Sequence, residues 1–333
     1  MNVYQSNPDM LPDSAFTPAT LDHLVVGNRG RMLDQRRTPV TIVGVVETTG
    51  FVVLRIDDFE DRDATWSIPF EEIDRYQFAL DAQRVDDATR RRLAATVTRL
   101  NHPLCVPADG AQRALTEKRV AGEEKRAAAW LATASRFIAD SRPLPDPDTR
   151  RGDPVLGADL LRYLATRGLD DMEEAFATQY VSAPHSGELV KGHRIVIAEL
   201  GFVGYEGKMI RDPGLFNGPW SRERRAEHVC ARLGFIRALF GRLGRSTLAV
   251  YRGLSIEGDI EPRRRDTFVS TTLARAVAES HFDCGRPGST RMLLGFTVPV
   301  SRVFMTFFET PALSRQFLEA EAVLFDDAEM PVL

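Results

Sequence analysis

The sequence predicts an α+β protein, with a small β-rich part at the N-terminus, helices through the middle and a strand-rich C-terminal part. Three observations carry this. PVTIVGVVETTGFVVLRI (39–56) is a β-branched run of the kind that forms paired strands. Helical spacing of apolar residues recurs between 88 and 243. From Thr247 onward the texture changes to short apolar and aromatic runs separated by turn residues.

Taken in order, residues 1–38 are irregular and rich in Pro, Asp and Asn. The run 39–56 then reads as two strands meeting at a turn around Thr48 to Gly50, and TWSIPFEEI (65–73) adds a further strand, giving a small antiparallel sheet or barrel. ATRRRLAATVTRL (88–100) has helical spacing. Residues 110–140 read as a long helix or a helical pair with Gly122 as the weak point. RPLPDPDTRRGDP (142–154) holds four prolines and three aspartates and marks the expected boundary: an N-terminal domain 1–140, a linker 141–154 and a C-terminal domain 155–333. Beyond it come two short helices broken at Gly168 (157–180) and a strongly amphipathic helix at 220–243. LAVYRGLS (248–255), RDTFVSTTL (265–273), RMLLGFTVPV (291–300) and SRVFMTFFE (301–309) follow as strands.

Bulk properties exclude more than they assign. The 333 residues suffice for two domains, and 43% apolar with 27% charged residues describes an ordinary globular chain. A net charge of −4 gives no global ground for nucleic-acid binding. The basic clusters RRRL (90–93), SRERR (221–225) and PRRR (262–265) read first as solvated surface, the last also as a place to steer an anionic partner. Cys105, Cys230 and Cys284 form no CxxC pair and no disulfide framework, which points to a reducing cytoplasm. The six histidines lack HExxH-type spacing, so no metal is expected. MNVYQSNPDM has neither the basic nor the apolar region of an export signal, and no apolar run reaches the length of a membrane span. A cytoplasmic protein without a membrane partner is the expectation, and a specialised injection system would leave no such mark.

The last segment, FLEAEAVLF (317–325), sets two glutamates in an apolar run. In a helix, residues two apart diverge by about 200° and the two acids share no face. In a strand, Glu319, Glu321, Val323 and Phe325 line one face. The stretch alone leaves both open; the strand-rich sequence before it favours the strand.

Three pieces then stand in order: Arg-Gly at one strand, Ser-Thr-Thr at the next, Glu-x-Glu at the last. Each is weak alone. The ordered set, with Arg252 in VYRG, Ser270 in FVSTT, and Glu319 and Glu321 in LEAEAVLF, resembles the Arg-Ser-Glu class of mono-ADP-ribosyltransferases, whose cholera-toxin-like members carry these elements on a split β-sandwich. ARAVAESHF (274–282) is similar to that family's alanine-rich helix after the serine motif. The resemblance covers about 155–330 and implies a helical lobe ahead of the sandwich, NAD as substrate and no metal.

It also implies roles. Breaking the nicotinamide–ribose bond produces a cationic, flattened sugar, as in glycoside hydrolysis. Glu321 would stabilise it, a contact worth about 3–4 kcal/mol. Glu319 would take the proton of the incoming nucleophile. Ser270 would fix the rotamer of Glu321. Arg252 would clamp the pyrophosphate with its planar fork, and Gly253 would let the backbone approach. Thr271, Thr272 and Arg286 are further candidate NAD contacts, Arg286 in a segment (283–291) expected to cover nicotinamide and phosphates.

Within that class, VPVSRVFMTFFETPALSRQFLEAEAVLF resembles more weakly the C-terminal part of the dinitrogenase reductase ADP-ribosyltransferases, and 205–236 is similar to their helical region. The chain departs from them at Ala320 and Ala322 and in its N-terminal module. The loop 305–318 is the expected acceptor-recognition loop, with Phe308 and Phe317 as candidate target contacts or core residues. The acceptor implied is a macromolecule, a protein arginine first and nucleic acid second. Water as acceptor, or NAD binding without catalysis, are the alternatives. For the N-terminal module three roles stay open: recruiting a target, inhibiting the enzyme, or pairing with another chain.

Overall fold

The computed structural model describes residues 12–33, 37–57, 65–183, 187–256, 267–283, 289–314 and 318–325. They form an α+β protein whose two large sheets are antiparallel. The chain divides into two compact units, 1–103 with 208–213, and 104–207 with 214–333, each with its own hydrophobic core.

β-branched alternation builds the first unit. Strands β1 (Phe16–Pro18), β2 (Arg29–Met32), β3 (Pro39–Val46), β4 (Phe51–Ile56), β5 (Thr65–Pro69) and β6 (Tyr76–Ala79) make a sheet of order β1-β6-β2-β3-β4-β5. In β4, Val52 and Leu54 point into the core between half-buried neighbours, the period of two expected of a strand with one covered face. β3 and β4 meet at the predicted turn. Gly50 closes it at φ 65°, where a Cβ would stand 2.5 Å from Leu100 Cδ1 of helix α1 (Asp87–Leu100). The strand expected over 65–73 stops at Pro69. Phe70 and Ile73 are both buried, and a spacing of three suits the 3-10 turn that runs over Phe70–Arg75.

The second unit opens with β7 (Pro103–Val106) and a helical lobe: α2 (Gly110–Ala134), α3 (Arg136–Ala139), α4 (Pro154–Ala165), α5 (Asp170–Ser182) and α6 (Glu188–Glu199). β8 (Tyr205–Lys208) pairs with β7, and α7 (Arg222–Arg242) follows. The boundary expected at 141–154 lies instead near 103. Val120, Ala127, Leu131 and Phe137 belong to the second core, which puts the helices of 110–140 in the second unit. The Pro/Asp-rich stretch packs as well. Asp153 is buried, caps α4 through Val155 N at 2.7 Å, and donates its own N–H to Phe308 O at 3.3 Å. Its prolines and aspartates serve turns and caps, which use the same residue types as linkers do.

Gly122 does not interrupt α2, since it lies on an exposed face where a side chain would meet nothing. The break comes at Ser135, whose hydroxyl accepts from Ile138 N at 3.0 Å and donates to the buried Asp159 carboxylate at 2.6 Å. α4 and α5 part where Gly168 turns the chain at φ 62°, as expected. The stretch 205–221, expected to be helical, forms β8 and short 3-10 turns before α7 begins. The helix α6, which sequence periodicity did not single out, is almost wholly buried.

α7 is not the one-faced, strongly amphipathic helix expected. It is buried nearly all round and carries Arg225, His228 and Arg232 into the interior. Arg232 donates to both oxygens of Glu173 at 2.9 Å, to Phe304 O at 2.7 Å and to Glu309 at 3.2 Å; His228 Nε2 meets Glu173 at 2.8 Å. Arg225, part of the SRERR cluster, donates to the carbonyls of Leu189, Leu215 and Trp220. Such charges tolerate burial because every fork finds an acceptor.

The C-terminal strands β9 (Thr247–Ile256), β10 (Phe268–Thr272), β11 (Thr290–Pro299), β12 (Val303–Thr306) and β13 (Glu321–Phe325), with α8 (Arg275–Asp283) after β10, form a sheet of order β11-β9-β10-β13-β12. β9 and β11 pair along their whole length, from Thr247↔Pro299 to Ile256↔Thr290. β10 and β13 pair from Phe268↔Phe325 to Thr272↔Glu321. Among the described residues β9 and β10 meet at one pair, Tyr251↔Thr272. Among the described residues the sheet is thus two ladders joined at a single bridge.

Candidate active site

The bridge fixes the site. Tyr251, Thr272 and Glu321 form one row across β9, β10 and β13. Beyond that row, Arg252 and Gly253 continue along β9 opposite Leu294 and Leu293 of β11, while Thr271 and Ser270 continue along β10 opposite Ala322 and Val323. Past the bridge, β9 carries Arg252 and Gly253, both half-buried, and β10 carries the exposed Ser270.

Glu321 is the first residue of β13 and half-buried. Its Oε1 accepts from Ser270 Oγ at 2.6 Å and from Tyr180 Oη of α5 at 3.4 Å. Ser270 and Glu321 stand two residues out of register on the same side of adjacent strands, a diagonal within reach of a long side chain. Burial pushes the Glu321 carboxyl above its ordinary value; the bond from Ser270 opposes this, the charge of Glu319 adds to it, and Tyr180 opposes it again. A carboxylate held by two hydroxyls, with a second acid close enough to act on its charge, suits stabilising a cation and moving a proton.

Glu319 is not on the strand. It precedes β13, between Leu318 at φ 50° and Ala320 at φ 48°, so strand alternation does not set its position, although its charge still acts on Glu321. The side chain faces His281 of α8, with Nε2 3.3 Å from Glu319 Oε1.

The two threonines expected to touch NAD have another task. Thr271 Oγ donates to Ala322 O at 2.7 Å and Thr272 Oγ to Glu319 O at 2.6 Å, so both hydroxyls fasten the Glu-x-Glu segment to β10. Phe308 is buried against Phe240 and Phe307 and belongs to the core, not to a target surface. Arg286, Phe317, Cys284 and the PRRR cluster lie outside the described residues. Among the described residues no group of three or more His, Cys, Asp or Glu is placed to hold a metal ion, and no helix is long and apolar enough to cross a membrane.

Sequence reasoning missed Tyr180 and His281. Tyr180 lies one helical turn after Phe176, and its ring packs on Phe268 of β10. That i, i+4 pair marks a core-facing stripe, but only packing shows which turn of α5 reaches β13. His281 carries no local signal at all. Comparison with protein-family models, with curated proteins and with solved structures found no match to this chain.

Proposed function

We propose that the strand-rich part of the second unit, with the helices before it, is an ADP-ribosyltransferase-type domain that uses NAD to modify an acceptor, a protein arginine by preference. The observation that carries this is the Ser270–Glu321 hydrogen bond of 2.6 Å next to the Tyr251–Thr272 bridge that joins β9 to β10. In this reading the bond between nicotinamide and ribose breaks with its electron pair leaving on nicotinamide. Glu321, its rotamer fixed by Ser270, faces the positive charge left on the ribose carbon. A guanidino nitrogen then attacks that carbon and its proton passes to Glu319. Arg252, next to Tyr251 on β9, supplies a positive fork for the pyrophosphate.

The test is incubation of the whole protein with labelled NAD and a cell lysate. Label retained on protease-sensitive material supports transfer to protein; label removed by nuclease moves the acceptor to nucleic acid; free ADP-ribose alone makes the chain a glycohydrolase. NAD bound in a calorimeter but never consumed would reduce it to a binding protein. Glu321→Gln is expected to lower nicotinamide release by about 10²–10³-fold, the usual loss for one transition-state contact. Wild-type turnover in that variant would end the proposal.

A further inference from the structure

Glu319 occupies a backbone built at a cost. Residues with a Cβ enter the left-handed region reluctantly, and Leu318 and Ala320 both sit there, on either side of it. Two clasps hold the arrangement. Thr272 Oγ donates to Glu319 O at 2.6 Å while accepting from Ala274 N at 3.0 Å, and Leu273 N donates to Ala320 O at 2.9 Å. Thr272 thereby ties the backbone of Glu319 to the start of α8. These bonds fix the main chain and leave the glutamate side chain to its own rotamers.

The carboxylate is met by His281, two turns along the same helix α8. Among the described residues of that helix, Arg275 pairs with Glu279 at 2.8 Å and His281 with Glu319 at 3.3 Å. Helix and kink are thus braced twice, once through the backbone by Thr272 and once through the side chains by His281. The second contact is the one that reaches the carboxylate itself.

We infer that His281 is a positioning residue for Glu319, holding its carboxylate in line with the incoming acceptor and so setting the share of ADP-ribose delivered to a guanidino group rather than to water. This rests on the transferase reading of the site.

The experiment uses the full chain with NAD and agmatine as a soluble guanidino acceptor, measuring nicotinamide released and agmatine-linked ADP-ribose formed. His281→Ala is expected to keep nicotinamide release within about twofold and to lower the agmatine product about tenfold, the loss typical of a general base held out of line. His281→Gln, whose amide still donates, should restore most of the product. His281 is 53% exposed, and an unchanged thermal melt is expected for both variants. An agmatine share unaltered in His281→Ala overturns the inference and leaves the transferase reading standing. So does a fall of both products in equal proportion. Nicotinamide release without any agmatine product also overturns it, because the acceptor is then of another class. A wild-type protein that leaves NAD intact overturns the transferase reading, and this inference with it.

Discussion

Glu321 is the residue on which hydrogen bonding and burial disagree. Its carboxyl is raised above the ordinary value of 4.5, so in a reaction that needs the carboxylate the acid limb of activity falls at a pH above that value. Glu319→Gln removes a charge that raises it and should move the limb to lower pH. Ser270→Ala removes a bond that favours the ionised form and should move it up. A pH profile of nicotinamide release in the three proteins checks both directions. The same shift has a consequence for stability. An acid whose pKa is raised by folding contributes most below its unfolded pKa, and that contribution is lost as pH rises through the folded value. Glu321→Gln should therefore melt slightly above wild type at pH 7 while turning over far less NAD, which separates loss of chemistry from loss of fold.

At the scale of elements, the final strand is shorter than its sequence suggests because the chain spends 318–320 on a kink. Leu318, exposed and left-handed, is the natural place to relieve it. Glycine there removes a cost of about 1–2 kcal/mol for the conformation and adds back about 0.5–1 kcal/mol of unfolded-chain entropy. Leu318→Gly is accordingly expected to be stabilising by up to about 1 kcal/mol in urea denaturation, and a clear destabilisation would contradict the strained geometry. The turn that leads towards the kink is anchored from below. Arg232 of α7 holds Phe304 O and Glu309, so the helical lobe fixes one end of the loop expected to meet the acceptor.

The described residues form two cores with no shared residue, one around Ile42, Leu54 and Phe78, the other around Phe235, Phe304 and Leu324. Two calorimetric transitions are expected. Arg232→Ala leaves Glu173 and Glu309 buried without their cation, at a cost of about 3–5 kcal/mol, and should lower only one transition. Burial raises the Glu173 carboxyl, yet Arg232 and His228 outweigh it and hold it down at about 2, from an ordinary 4.5. A depressed acid stabilises the fold above its unfolded pKa and loses that effect as pH falls through the folded one. The contribution of Glu173 should fade between about 4.5 and about 2, and acid titration of Glu173→Gln should flatten the decline over that window.

What the sequence determined was local. β-branched alternation placed β3 and β4, glycine placed the turn at 168, and the order Arg-Gly, Ser-Thr-Thr, Glu-x-Glu singled out Arg252, Ser270 and Glu321 because their side chains sit in strands whose texture is short-range. Tertiary structure decided the rest. The Pro/Asp-rich stretch looked like a linker and became caps and turns, because those residues favour both and only packing distinguishes them. α7 looked amphipathic and became a core helix, because its charges found partners far away in sequence. A period of two would set Glu319 on the strand face of Glu321; the chain instead turns ahead of β13, where Thr272 holds the backbone of Glu319 and His281 meets its carboxylate, and such contacts between distant segments leave no mark in the order of the residues.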